Sequence, residues 1–314
     1  YLSMKKLLLL VLILCALPLF SQIPNTISKE EKVFGLSKFW QEVNYNFVYL
    51  NKVDRNEWDS MYKQLISEVQ ETENDYEYYR LLQKFCAFLK DGHTNVNFPK
   101  EIQDNILNTY FGEYRLFLSN IEGKAILTRV NASKKEELPI GTEIIKVNGL
   151  PTREYLEQNV IPYISSSTDF IREDWGIQRM LQGYVGTSYE LEMQLPNGNI
   201  KTLKLTHSKT EEKEVFPPDE KSELLDFKWI NKDIVYISLN SFQKWDIVNL
   251  FTDKLPELKK SKKLIIDLRK NGGGDSNIAR ETIKYLTKDT VIYGSKTQSR
   301  LHIPTYKAWG KWAK

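Results

Sequence analysis

The stretch LIIDLRKNGGGDSNIA, Leu264 to Ala279, does most to limit what this chain can become. Apolar residues lead into an aspartate, three consecutive glycines follow, and Asp275 and Ser276 stand where a helix can open. That order predicts a strand giving way to a helix over Ser276 to Leu286. A strand IVYISLNSF, Ile234 to Phe242, and a helical crossover from Trp245 to Leu258 precede it, and extended residues VIYGSK follow. Strand, helix, strand, helix implies a parallel α/β sheet with a right-handed crossover. Open sheets of this kind gather ligands at the carboxyl ends of their strands, which is where Gly272 to Gly274 fall.

The N-terminal part has a different period. Residues 28 to 90 read as three amphipathic helices. SKEE at Ser28 to Glu31 is a capping box ahead of the stripe Val33, Leu36, Trp40, Val43 and Phe47. A second helix starts near Asp54 and carries Trp58, Met61, Leu65 and Val69, and a third starts near Asn74 and carries Tyr78, Leu81, Leu82, Phe85 and Leu89. The third helix ends in KDGHTNVNFP, where Gly92 is expected to take the left-handed conformation and His93 opens an extended stretch. From Tyr114 to His207 the pattern changes to short strands, YRLFLS, KAILTRV, TEIIKVNG, YELEMQL and IKTLKL, with a helix over Asp169 to Gly183. HSKTEEKEVFPPDEKSE, His207 to Glu223, is charged and aperiodic and reads as a linker.

The 314 residues are 41% hydrophobic, enough for more than one core. Formal charge is +3, so composition supplies no reason to expect a nucleic-acid partner. MKKLLLLVLILCALPLFSQ, Met4 to Gln22, has the two lysines, short apolar run and small or polar end of a secretory signal. Its apolar run is shorter than the ~20 residues that span a bilayer, so no stable span is expected after cleavage, although an anchor and lipidation at Cys15 are alternatives. Cleavage near Ser21 leaves Cys86 alone, which excludes an intrachain disulfide. With one cysteine and scattered histidines, no metal and no cofactor is expected. Tyr1 ahead of Met4, and an end at Lys314 without a closing element, read as a fragment.

Three readings of the glycine corner are open. A phosphate loop would want Lys and Ser or Thr after the last glycine, where Asp275 stands. A tight turn ending in an Asp or Ser helix cap needs no ligand at all. An oxyanion hole would use the bare amides to hold the charge that grows on a carbonyl oxygen, and losing one such donor costs roughly 3–4 kcal/mol of barrier. That third reading needs a base. His93, at a helix-to-strand junction, suits it better than His207 or His302, since histidine titrates near neutrality, but a histidine that caps a turn would look the same.

DGHT at Asp91 to Thr94, GTEIIKVNG at Gly141 to Gly149 and DLRKNGGGDS at Asp267 to Ser276, in that order, resemble the S41 family of serine peptidases, the C-terminal processing and tricorn-core type. The resemblance implies a multidomain α/β protein. A signal peptide over 1–21 would precede an N-terminal helical bundle over 22–111 that ends in the DGHT motif. A PDZ-like β-rich module over 112–206, a linker over 207–223, and a partial parallel α/β catalytic domain of ClpP/crotonase-like type over 224–314 would follow. It gives His93 the part of general base and the oxyanion hole to the Gly273 and Gly274 pair, foremost the Gly273 N–H. Asp267, Arg269 and Asn271 would shape the loop.

The family's nucleophilic serine sits in a small-residue context such as S-A-x-E, and no such string follows Ile292. Ser295 and Ser299 lie in a polar stretch, so the nucleophile is expected beyond Lys314, as is the lysine of the family's Ser/Lys branch. The expected activity is an exported serine endopeptidase working through an acyl-enzyme on polypeptide or protein C-terminal segments, in the periplasm, the cell envelope or outside the cell. As given, this chain would be inactive. The competing readings are a non-catalytic PDZ-like peptide binder and a nucleotide-binding α/β protein using the NGGGD loop. The aromatic and lysine tail HIPTYKAWGKWAK is assigned no function.

Overall fold

The computed structural model describes residues 23–218 and 223–289, with 291, 298, 299, 302, 304 and 306. The signal-peptide reading of Met4 to Gln22, with Cys15, lies outside the described residues, as do Ser295 and most of the extended stretch VIYGSK. The chain divides into two compact units, Tyr1–Pro218 with Gln298–Lys314, and Asp219–Thr297. Among the described residues no helix is long and apolar enough to cross a membrane.

Three helices open the first unit: α1 (Lys29–Asn46), α2 (Arg55–Glu71) and α3 (Asp75–Ala87). Each begins where its cap residue stands. Ser28 and Glu31 exchange the two bonds of a capping box, at 3.2 and 2.9 Å. Asp54 accepts from the Asn56 and Glu57 amides, and Asn74 accepts from the Glu77 amide. Leu36, Val43, Trp58, Leu65, Val69, Tyr78, Leu82 and Phe85 share one core, in which the Trp58 and Phe85 rings stack 3.8 Å apart at 12°. Burying each large side chain contributes about 1.5–3 kcal/mol.

The end of α3 differs from expectation. Lys90, not Gly92, takes positive φ, at 50°. The Leu89 and Lys90 amides already bond back to Cys86 and Ala87, so the chain leaves the helix two residues before the glycine.

Beyond it come α4 (Lys100–Gln103), β1 (Ile106–Leu107), β2 (Tyr110–Phe111), β3 (Tyr114–Ile121), β4 (Lys124–Asn131), β5 (Glu143–Val147), β6 (Leu150–Pro151), α5 (Thr152–Asn159), α6 (Asp169–Gln178), β7 (Gly183–Tyr184), β8 (Ser188–Gln194), β9 (Ile200–Thr206) and β10 (Val215–Phe216). An antiparallel sheet runs β2-β3-β4-β5-β8-β9, with β10 on β4 and β6 on β5, while β1 pairs separately with β7. Period-2 alternation buries Tyr189, Leu191 and Met193 of β8 against Leu116 and Leu127, and α5 and α6 close the core with Leu156 and Ile177. In the β5–β6 hairpin Asn148 and Gly149 take φ 51° and 80°, the left-handed pair that a tight Asn-Gly turn requires.

The stretch expected to be a linker begins inside this module. His207 is buried, stacks on Phe111 at 4.3 Å, and its two ring nitrogens lie 2.8 and 2.6 Å from the Tyr110 and Leu181 carbonyl oxygens. Val215 and Phe216 then add a strand to β4.

In the second unit, β11 (Leu225–Asn231) runs antiparallel to β12 (Ile234–Leu239), α7 (Asp246–Leu258) crosses over, and β13 (Lys263–Asp267) lies parallel to β12. α8 (Ser276–Ile283) follows and stops three residues short of the expected Leu286. Val235, Ile237 and Leu239 pack on Ile247, Val248 and Phe251 of α7 and Ile278 of α8. The parallel pair was legible in sequence and the antiparallel β11 was not, because its own pattern, LDFKWIN, buries none of its seven residues.

Candidate active site

The two motif loops belong to different units, the DGHT loop to the first and the glycine loop to the second. In the first, Asp91 organises the turn after α3. Its carboxylate accepts the Thr94 hydroxyl at 2.5 Å and, at 3.4 Å, the His93 amide. Asn95 closes the turn by donating to the Gly92 carbonyl. Behind it the buried Cys86 thiol donates to the Thr94 carbonyl at 3.2 Å, and burial pushes that thiol up to about 11. His93 is exposed, and among the described residues no hydrogen bond or ion pair engages its imidazole. His302 sits with its ring 4.8 Å from Tyr45, and His207 is spent on the core, so neither shares the loop with His93.

In the second unit the glycine loop hangs from the carboxyl end of β13. Asp267 accepts the Arg269 amide at 2.9 Å, the Arg269 guanidinium at 2.7 to 3.1 Å and the Tyr236 hydroxyl at 2.7 Å. Chiefly because of Arg269, its carboxyl is held well below the usual carboxylate range. That clasp leaves Asp267 no proton to exchange near neutrality, which fits a residue that shapes the loop. Asn271 reaches both ways, donating to the Leu239 carbonyl and accepting the Gly273 N–H, each at 2.8 Å. Phe242 pairs with the loop through its backbone, its N–H bonding the Gly273 carbonyl at 3.0 Å and its carbonyl accepting the Asp275 N–H at 2.9 Å.

Gly273 and Gly274 have φ of 95° and 140°, conformations that favour glycine. A Cβ on Gly274 would fall 2.2 Å from the Phe242 carbonyl, whereas one on Gly272 would meet nothing within 4 Å. Asp275 caps α8 by accepting from Asn277, so the helix-cap reading of this residue is fulfilled at the same time. None of the described hydrogen bonds uses the Gly272 or Gly274 N–H, while that of Gly273 is taken by Asn271. Tyr236 and Phe242 escaped the sequence reading. The parallel register Ser238↔Asp267 is the signal that brings the end of β12 to this loop. Ser299 is exposed, and no described group of histidines, cysteines and carboxylates could hold a metal.

Residues 233–305 match the model of Peptidase family S41, and they include the whole glycine loop. That segment is similar to the S41 peptidase family. Among solved structures the fold resembles mature CPAF complexed with lactacystin, at TM-score 0.56 and 12% identity, over 81% of this chain and 59% of that one. Mature CPAF in a second crystal structure gives 0.56 and 13%, over 79% and 56%. The photosystem II D1 C-terminal processing protease aligns over 81% of this chain and 64% of its own at 15% identity, with a TM-score of 0.33. The chain thus spans less than two thirds of the length of each of these structures. No curated protein matches it.

Proposed function

We propose that the protein is a serine-type endopeptidase that hydrolyses polypeptides through an acyl-enzyme. The observation that carries this reading is the Asp267–Asp275 loop, a clasped turn with two glycines at positive φ at the carboxyl end of a parallel strand, inside the segment that matches Peptidase family S41. In this reading His93 removes the proton of a serine hydroxyl as the oxygen attacks the scissile carbonyl. The backbone amides of Gly273 and Gly274 hold the oxyanion, the Gly273 N–H after exchanging its bond to Asn271. Collapse of the tetrahedral species expels the amine, which takes the proton from His93, and water then cleaves the acyl-enzyme. No serine among the 314 residues is assigned the nucleophile's role. The β-rich part of the first unit is read as PDZ-like, docking an extended peptide on a sheet edge. From the leader we propose export to the cell envelope, the periplasm or outside the cell.

The test is hydrolysis of casein and of peptides by the complete protein and its His93→Ala variant. Turnover should fall about 10²- to 10⁴-fold with the unfolding midpoint unchanged. Unchanged turnover removes His93 from the mechanism. Peptide binding without cleavage, and without labelling by a fluorophosphonate, favours the non-catalytic binder. Cleavage by residues 22–314 alone would place the nucleophile within them.

A further inference from the structure

The first unit holds a cavity of about 180 Å³ whose lining includes Arg80 of α3, Arg179 at the end of α6, and Asn95 and Asn97 just after the DGHT motif. A second space of about 30 Å³ touches the same two arginines. No aspartate or glutamate lines either one, while five amide side chains line the larger.

Both guanidiniums are held by aromatic faces instead of acids. Arg80 sits 3.7 Å over the Tyr163 ring and donates one bond, 3.0 Å, to Gln83 Oε1, which is itself anchored through Nε2 to the Val96 carbonyl. Arg179 sits 5.0 Å over the Trp175 ring, and no described ion pair or side-chain hydrogen bond engages it. Arg179 is exposed, and the protein packed around its guanidinium lowers its pKa from the ordinary value. A guanidinium has five donors in a planar fork. Two such forks line one cavity that has no carboxylate of its own, an arrangement that an anion can complete.

We infer that this cavity is a binding site for a small carboxylate, held by Arg80 and Arg179 together. Its volume is many times the roughly 10–15 Å³ that a water needs, yet below the ~300–1,000 Å³ of pockets for larger ligands, which suits a short acid or the end of a peptide. Carboxylate geometry matches the guanidinium fork bidentately. Inorganic phosphate, which a guanidinium fork also matches, is the competing anion that the titration separates. The site is independent of the peptidase reading.

Calorimetric titration of the full chain with succinate, with N-acetyl-Ala-Ala bearing a free carboxyl, with its amide, and with inorganic phosphate tests the assignment. Saturable binding of either carboxylate, none of the amide, and about tenfold or greater weakening in Arg179→Gln are expected. Binding of succinate alone identifies a free acid as the ligand, and binding of the peptide alone identifies a peptide terminus. Arg153→Gln, whose native partners are Glu157 and Glu173, should bind as the wild type does. Arg80→Gln should also weaken binding, and if it fails to fold, Arg179→Gln decides alone. Absence of carboxylate binding, phosphate binding in its place, or undiminished affinity in Arg179→Gln would overturn the inference.

Discussion

Asn271 accepts the Gly273 N–H at 2.8 Å while its own amide group donates to the Leu239 carbonyl at the same distance, so one side chain ties the glycine loop to the end of β12. Each bond contributes about 0.5–1.5 kcal/mol. Asn271→Ala should therefore destabilise the second unit by about 1–3 kcal/mol and speed amide exchange in peptides covering 268–276. Exchange as slow as in the wild type would show that the backbone holds the loop without this side chain. If the Gly273 amide serves the oxyanion, the same variant also loses turnover, because the loop that presents the donor is no longer tied to Leu239 at the end of β12.

The three glycines predict a graded series. Gly272→Ala meets open space, and its effect should stay within about ±0.5 kcal/mol. Gly273→Ala meets nothing within 4 Å but inherits a φ of 95°, a strain of about 1–3 kcal/mol. Gly274→Ala adds a clash with the Phe242 backbone, for a total of roughly 2–6 kcal/mol. Denaturant midpoints of the three variants check the order. Equal losses at all three positions would contradict the loop geometry.

Legibility in the sequence followed the physics of each signal. Caps and stripes announced α1 to α3, because Ser28, Asp54 and Asn74 act on amides two or three residues away, and the strongly periodic β8 and β9 were equally plain. Contacts made at long range were not. His207 looked like the start of a linker because its neighbours are charged, yet its ring is fixed by Tyr110 and Leu181, 97 and 26 residues away. The exit from α3 was placed on Gly92 by residue type, whereas the backbone bonds of Leu89 and Lys90 settle it on Lys90. At the candidate site, motif spacing pointed to Gly273 and Gly274 but could not show that Asn271 occupies one of the two amides.

Asp267 gives a pH prediction with a definite sign. Its folded pKa is lowered, first by the Arg269 hydrogen bonds, so its clasp stabilises the second unit above the unfolded value of ~3.9 and that contribution is lost as pH falls toward the folded value. Unfolding midpoints of the wild type should decline from about pH 5 downward, where carboxylates begin to titrate. Asp267→Asn should be less stable than wild type at pH 7, with the gap narrowing at acid pH. A gap that is constant across this range would mean that the clasp does not depend on charge.

Cys86 reports on the turn that carries His93, since its thiol donates to the Thr94 carbonyl. With burial pushing it up to about 11, only on the order of 10⁻³ of the thiol is ionised at pH 8, against about a quarter of a free cysteine. Alkylation by iodoacetamide, followed by mass spectrometry of the peptide that holds Cys86, should be far slower in the native protein than in urea. It should accelerate in Asp91→Ala, which removes the acceptor of the Thr94 hydroxyl and the His93 amide and so loosens the turn over the thiol. Native labelling as fast as in urea would mean that this turn is open, and with it the fixed position that His93 needs to act as a base.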